Sequence, residues 1–349
     1  MIDIKSLNMD ELCALMAGVN EPPFRAKQVF SWIHRGVTSF GEMRNIPKTL
    51  QEKLDAVCEI KVATVRAKQE SRNDGTIKYV WQMPDGNCVE SVFMEYKHGN
   101  TVCVSTQVGC RQGCVFCAST KGGMIRNLEP SEMLEQVMRA QADTGKRVSN
   151  VVLMGTGEPL DNFDNVIKFI KLLNDEHGLN IGMRHISLST CGLCDKIDEL
   201  AHLKLQITLS VSLHAADDVT RSGIMPINNK YNINTLIETC KRYFMETSRR
   251  ISFEYTMISG VSDTEEQARK LSAVLAGMPC HVNLIPLNRI ANSELKPSEP
   301  AQIDAFTQIL ENAGVTVTTR RSLGSDIDAA CGQLVRSVAS DIEARGDLK

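Results

Sequence analysis

From about residue 100 to residue 319, short apolar runs alternate with longer amphipathic ones, and this alternation leaves the chain few folds to adopt. Val102–Gln107, Val151–Met154, His185–Ser189, Gln206–Leu213, Ile251–Met257 and Val282–Pro286 have the length and composition of strands. Between them Ser131–Asp143, Phe163–Glu176, Ile197–Leu203, Ile233–Thr247 and Glu265–Ala276 carry helical periodicity, with Ser131 at a plausible N-cap. A further helix, Ala301–Ala313, and a strand, Val315–Thr319, close the pattern. Six βα units predict an α/β fold with a parallel sheet. No GxGxxG follows the first strand, which disfavours a dinucleotide-binding sheet. A closed or partial (β/α)6 barrel fits better, and its site would lie in the loops at the strand C-terminal ends.

Two smaller segments precede this core. Residues 1–70 read as a helical module in which Phe24, Val29, Phe30, Trp32 and Ile33 are core candidates, while Lys27, His34 and Arg35 lie nearer solvent. Residues 71–98 read as a β-hairpin extension, with Thr76–Met83 and Cys88–Tyr96 flanking the turn Pro84-Asp-Gly-Asn87. Residues 99–349 form the core and a C-terminal segment. A net charge of -3 gives no bulk attraction for nucleic acid, so any such partner must meet local patches. Lys121, Arg126, Arg320, Arg321 and the basic N-terminal helices are candidates. The start of the chain has no apolar core behind a basic flank, and no stretch is apolar enough to span a bilayer. The expected compartment is the cytoplasm, where twelve cysteines read as reduced thiols, ligands or catalytic groups.

Three of these, Cys110, Cys114 and Cys117, share the loop after the first strand. Three thiolates on one short loop can hold three irons of a cubane 4Fe-4S cluster and leave the fourth iron open to a ligand. The alternative is zinc, with Cys103 as fourth ligand, but a structural zinc site usually closes its tetrahedron with paired cysteines. Gly155-Thr-Gly-Glu-Pro-Leu160 follows the second strand; its glycines allow close approach of a ligand, and Glu158 can accept from an ammonium group. Ser189, Ser212, His214 and Asn288 stand at later strand ends. Near the C-terminus Cys331 lies between small residues, where a thiol would be accessible, and with Cys103 it suggests a thiol pair. Cys13, Cys58, Cys88, Cys240 and Cys280 read as small buried hydrophobes, and Cys191-x-x-Cys194 as incidental.

The triplet spacing, with Phe116 before its last cysteine, resembles the radical S-adenosylmethionine superfamily. Cys103, the triplet, the Gly-Glu-Pro loop, Ser212-Leu-His214, Asn283-Leu-Ile-Pro286 and Ala-Ala-Cys331-Gly-Gln-Leu, in this order, resemble one branch of it over nearly the whole chain: the RlmN family of RNA adenine carbon-2 methyltransferases. The resemblance implies a radical-SAM barrel whose cofactors are a 4Fe-4S cluster and S-adenosylmethionine, with Gly157, Glu158, Ser189, Ser212, Leu213, His214 and Asn288 contacting the latter. It implies that Cys331 takes a methyl group from one cofactor molecule. A deoxyadenosyl radical from a second abstracts hydrogen from that methyl, and the carbon radical adds to adenine carbon 2. Cys103 then frees the product through a transient disulfide. The family position of the base falls on Glu90. From its surroundings alone Glu90 reads as a solvated strand carboxylate, turned away from Val89 and Val92 by alternation. The implied partners are 23S rRNA at the peptidyl-transferase centre, tRNA beside the anticodon, and an electron donor such as flavodoxin or ferredoxin, with no membrane. A flipped or single-stranded base is expected. A carbon-8 methyltransferase relative and a non-catalytic zinc RNA-binding protein are the alternatives.

Overall fold

The structure, a computed structural model, describes residues 1–288, 290 and 293–334; residues 335–349, assigned above to the core, lie outside the described residues. In chain order the elements are β1 (Ile2–Asp3), α1 (Met9–Gly18), α2 (Phe24–Ile33), α3 (Lys48–Val57), β2 (Cys58–Glu59), β3 (Thr64–Glu70), β4 (Ile77–Gln82), β5 (Cys88–Tyr96), β6 (Gly99–Cys103), β7 (Gln107–Gly109) and β8 (Met124–Asn127). They continue as α4 (Pro130–Thr144), β9 (Val148–Leu153), α5 (Phe163–Asn174), β10 (Ile186–Thr190), α6 (Cys194–His202), β11 (Thr208–Ser212), α7 (Asp218–Ile224) and α8 (Ile233–Thr247). The last are β12 (Ile251–Met257), α9 (Glu265–Val274), β13 (Cys280–Pro286), α10 (Pro300–Asn312) and β14 (Thr316–Thr319).

One ten-stranded sheet runs β14-β13-β12-β11-β10-β9-β6-β5-β4-β3. From β6 to β14 each strand pairs in parallel with the next, and a helical crossover separates each pair in sequence, as the βα alternation requires. Residues at or just beyond the C-terminal ends of β9 through β14 line one cavity, so the strands curl together there as a partial barrel. β3, β4 and β5 extend the same sheet in antiparallel order. The hairpin is therefore an extension of the barrel wall. β3 was read as part of the helical module. Its Arg66, Lys68 and Glu70 are the charges of an edge strand, which mask strand periodicity.

The first predicted strand, Val102–Gln107, is broken. β6 ends at Cys103, and β7 pairs with β8 in a separate two-stranded sheet. α4 begins one residue before Ser131, with Pro130 in its first turn and Glu129 capping in a box with Glu132. Its inner face is polar for specific reasons. Gln136 exchanges two hydrogen bonds with the Ser105 backbone, at 2.9 Å each, where the strand break would leave that peptide unpaired.

In the helical module Ala26, Val29, Phe30 and Ile33 form the buried stripe of α2. Phe24 and Trp32 fall off that stripe: Phe24 is 58 % exposed and Trp32 is half-buried. His34, four residues after Phe30, lies on it and is buried, contrary to the sequence reading, with its ring tilted against Phe30 and Nδ1 bonded to the Phe30 carbonyl. The module shares a single apolar core with the barrel. It is also fastened by a buried charge pair: Lys5 Nζ donates to Glu135 Oε1 at 2.5 Å and to the Lys61 carbonyl at 2.6 Å. Glu135 Oε2 accepts from the Ala63 amide and Arg139. Lys5→Met leaves that carboxylate buried and short of a partner. A loss of about 3–5 kcal/mol is expected in urea unfolding, and Lys5→Met with Glu135→Leu should recover part of it.

Candidate active site

The cysteine loop is closed by a backbone approach that excludes side chains. Gly109 has φ +79°, and a Cβ there would stand 1.9 Å from the Gly123 carbonyl oxygen. Cys110 N donates to the same oxygen at 3.2 Å. Inside the loop, Cys117 N donates to the Cys114 carbonyl, and Thr120 Oγ1 donates to the Cys117 carbonyl at 2.9 Å. Cys110, Cys114 and Cys117 all line the first cavity. Burial raises each thiol's pKa, Cys110 to about 12, and bound iron would displace those protons. Among the described residues no three His, Cys, Asp or Glu side chains gather as one ion requires. Cys103, the fourth ligand of the zinc alternative, lines a second cavity instead.

The Gly-Glu-Pro loop forms the facing wall. Gly157 has φ +109° and packs so tightly on Gln107 that a Cβ would lie 2.7 Å from it. Glu158 is buried, with Oε1 accepting from Leu160 N at 3.0 Å and Oε2 from Cys191 N at 2.7 Å. Burial raises its pKa against those two amides. Cys191-x-x-Cys194 thus enters the site through the Cys191 backbone, and both thiols are buried. Ser189, Ser212, His214 and Asn288 line the same cavity. Leu213 does not: its side chain is fully buried in the core, and only its backbone is engaged, to Glu254 O and Arg221. His214 sits in the left-handed region at φ +58°, with its ring edge-on to Phe116 at 4.8 Å. Its Nδ1 accepts from Thr256 N at 3.0 Å, so the neutral ring carries its proton on Nε2. Burial and then Arg221 lower its pKa to about 3, so the ring is neutral at physiological pH.

The C-terminal segment crosses the barrel mouth as a strap. Ser71 Oγ and Arg72 N hold Asp326 at 2.7 and 3.0 Å, and Asp74 accepts from Gly324 N at 2.9 Å. Further along, Ala118 N donates to the Gly332 carbonyl, Ser119 Oγ to the Leu334 carbonyl and Asn288 Nδ2 to the Cys331 carbonyl. Cys331 consequently lines both cavities, while Cys103 lines the second with Val92, Met94 and Tyr96. Burial, with Cys331 beside it, raises the Cys103 pKa to about 12, against the Arg320 guanidinium. All twelve cysteines are free thiols.

Glu90 is buried, not solvated, because β5 is covered on both faces. It also shares a face with Val92, two residues on, and so lies on the side of β5 that leads to the second cavity. Two of the candidate phosphate-binding cations are otherwise engaged. Arg126 pairs with Asp85 and Glu132, and Arg320 lines both cavities. Lys121 and Arg321 are exposed. Residues that the sequence reading passed over include Met154, Met225, Glu254 and Thr256 of the first cavity. The signal for Glu254 was present as a lone carboxylate inside the apolar strand Ile251–Met257.

Comparison with known proteins agrees with this geometry. The family described as Radical SAM superfamily matches residues 104–271. The family described as Ribosomal RNA large subunit methyltransferase N-terminal domain matches residues 2–60. A probable dual-specificity RNA methyltransferase RlmN from Lachnospira eligens is 52% identical, covering 98% of each chain. Its namesake from Clostridium botulinum is 51% identical, covering 99% of this chain and 100% of that one. A radical SAM methyltransferase from Sphaerobacter thermophilus, known as a crystal structure, superposes with a TM-score of 0.91 at 40% identity, covering 96% of this chain and 99% of that one.

Proposed function

Because the chain belongs to the RlmN family of radical SAM RNA methyltransferases, we propose that it methylates carbon 2 of adenosine in 23S rRNA and in tRNA. Carbon 2 is an electron-poor aromatic position that does not attack a sulfonium methyl, so polar transfer alone is insufficient. A 4Fe-4S cluster and S-adenosylmethionine, when bound, supply the methyl group, the electron and the alkyl radical. The donor set fits them: Cys110, Cys114 and Cys117 offer one thiolate to each of three irons, and the cavity beside them carries Glu158, Ser189, Ser212, His214 and Asn288. Gly157 permits the close backbone approach there, and Leu213 contributes only its main chain.

Cys331 accepts the methyl group and holds it as S-methylcysteine. The observation that carries this reading is that Cys331 borders both the triplet's cavity and the cavity of Cys103. Glu90 takes the carbon-2 proton from the base. Cys103, as thiolate, attacks the Cys331 sulfur, so that the S–S bond forms as the S–C bond to the bridging methylene breaks; that carbon keeps the electron pair and takes up a proton to become the methyl group of the product. The pair must be reduced again before another turnover. Electrons come from a small carrier of the flavodoxin or ferredoxin kind. No described helix is long and apolar enough to cross a membrane, and we place the reaction in the cytoplasm.

Mass spectrometry of nucleosides from a strain lacking the gene tests the assignment. Complementation with the wild type should restore 2-methyladenosine in both RNAs, and Cys331→Ala should restore none. Appearance of 8-methyladenosine would move the chain to the carbon-8 reaction. A colourless protein containing zinc after anaerobic reconstitution would remove the radical chemistry altogether.

A further inference from the structure

Arg221 stands on α7 and is fully buried. Its Nη2 donates to the Cys191 carbonyl at 2.8 Å and the Ser212 carbonyl at 3.1 Å, and Nε donates to the Leu213 carbonyl at 3.1 Å. Nη1 donates to Asn228 Oδ1 at 3.0 Å and to the Tyr231 carbonyl at 3.3 Å. Every N–H of the fork is thus spent on a neutral oxygen, and none is left for a ligand. Asp218 of the same helix is exposed, and Asn228 stands between its carboxylate and the guanidinium. A positive charge held in the interior by dipoles alone is costly unless an anionic group shares that interior. The cysteine triplet packs against this same place. Val115 N donates to the Ile224 carbonyl at the end of α7, at 3.1 Å, and Cys114 shares an apolar cluster with Cys191, Ile224 and Met225. Burial raises the Cys114 pKa, and the Arg221 charge opposes that rise. Arg111, the cation of the loop itself, is largely exposed and paired with Asp161, so its field is screened.

We propose that Arg221 tunes the reduction potential of the cluster held by Cys110, Cys114 and Cys117, by fixing a positive charge in the wall behind Cys114. The inference rests on the cluster assignment of the triplet. Three thiolates make the loaded centre anionic, and one electron from the carrier adds a further negative charge without making or breaking a bond in the protein. A buried cation close by therefore favours the reduced form and raises the potential, since net charge and burial are the protein's means of setting it. Arg221 touches neither cofactor nor substrate, and it acts through its field on the thiolates. Its consequence is an acceptor that a flavodoxin- or ferredoxin-like donor can reduce.

Redox titration of the anaerobically reconstituted, full-length protein at pH 7, read by electron paramagnetic resonance with no RNA present, tests this. Arg221→Gln should lower the equilibrium constant for cluster reduction about tenfold, about 59 mV for one electron. Arg221→Lys, which keeps the charge and gives up the planar fork, should stay within about threefold of the wild type. Asn228→Asp sets a carboxylate against the intact guanidinium and should lower the constant about threefold or more. If Arg221→Gln takes up no iron, Asn228→Asp decides. A merely structural role would cost both Arg221 variants iron while the remaining cluster kept the wild-type potential, and that result would overturn the proposal. So would equal shifts in Arg221→Gln and Arg221→Lys, or a wild-type potential in Asn228→Asp. A wild-type protein with no reducible 4Fe-4S signal would instead overturn the cluster assignment of the triplet.

Discussion

Cys103→Ala should purify with RNA covalently attached through Cys331. The substitution removes the thiol that opens the methylene-bridged adduct and leaves Cys331 and the first cavity unaltered. Steady turnover should fall by about a thousandfold or more, as when one member of a catalytic unit is lost. The product should run as a slower band on a denaturing gel, collapse on nuclease treatment, and give a tryptic peptide containing Cys331 with the mass of a nucleotide added. The double variant Cys103→Ala, Cys331→Ala should carry none. Free protein with ordinary activity from the single variant would contradict the pairing of the two thiols. Their placement makes the experiment sharp, since both border the second cavity while only Cys331 also reaches the first.

The second large effect concerns the loop itself. Gly109→Ala would put a methyl group 1.9 Å from the Gly123 carbonyl oxygen in a backbone region that alanine disfavours. Overlap and conformational strain together cost roughly 3 kcal/mol or more, concentrated where β7 and β8 meet. The expected result is a folded protein, by far-ultraviolet circular dichroism, with most of its iron and visible absorption lost after reconstitution. Gly113→Ala is the control. It has φ +74°, but its added carbon would meet Pro226 at 3.4 Å, an ordinary contact. That variant should keep most of its iron. Full iron in Gly109→Ala would mean that the hairpin does not set the position of the thiols.

The barrel was legible because its strands carry Ile, Leu, Val or Phe at every second position, on one face, and its helices are amphipathic. Where a strand departs from that rule the sequence misleads. β3 carries the charges of an edge, and the break after Cys103 is stabilised by Gln136 of α4, a contact thirty-one residues distant in sequence. The triplet, the Gly-Glu-Pro loop and Cys331 were found because small residues and thiols at fixed spacing have few other uses. Glu90 escapes the sequence reading because β5 is covered on both faces by parts of the chain remote in sequence, so alternation there does not mark a solvent side. Leu213 was named for its place in a motif, yet its side chain points to the core. Arg126 and Arg320 looked like surface cations since the sequence does not reveal partners such as Asp85, Glu132 and Glu254.

The strap has a mechanical corollary. It is latched upstream through the Gly324 amide and the Asp326 side chain and downstream through the carbonyls of Gly332 and Leu334, and the carbonyl of Cys331 itself is tied to Asn288. With the peptide anchored on either side, the freedom left to the sulfur is rotation about one side-chain bond, and changing rotamer sweeps it by about 3 Å. The carrier is a turnstile rather than a swinging arm: donor and acceptor must both come within that small arc, and the nucleobase has to travel to the thiol.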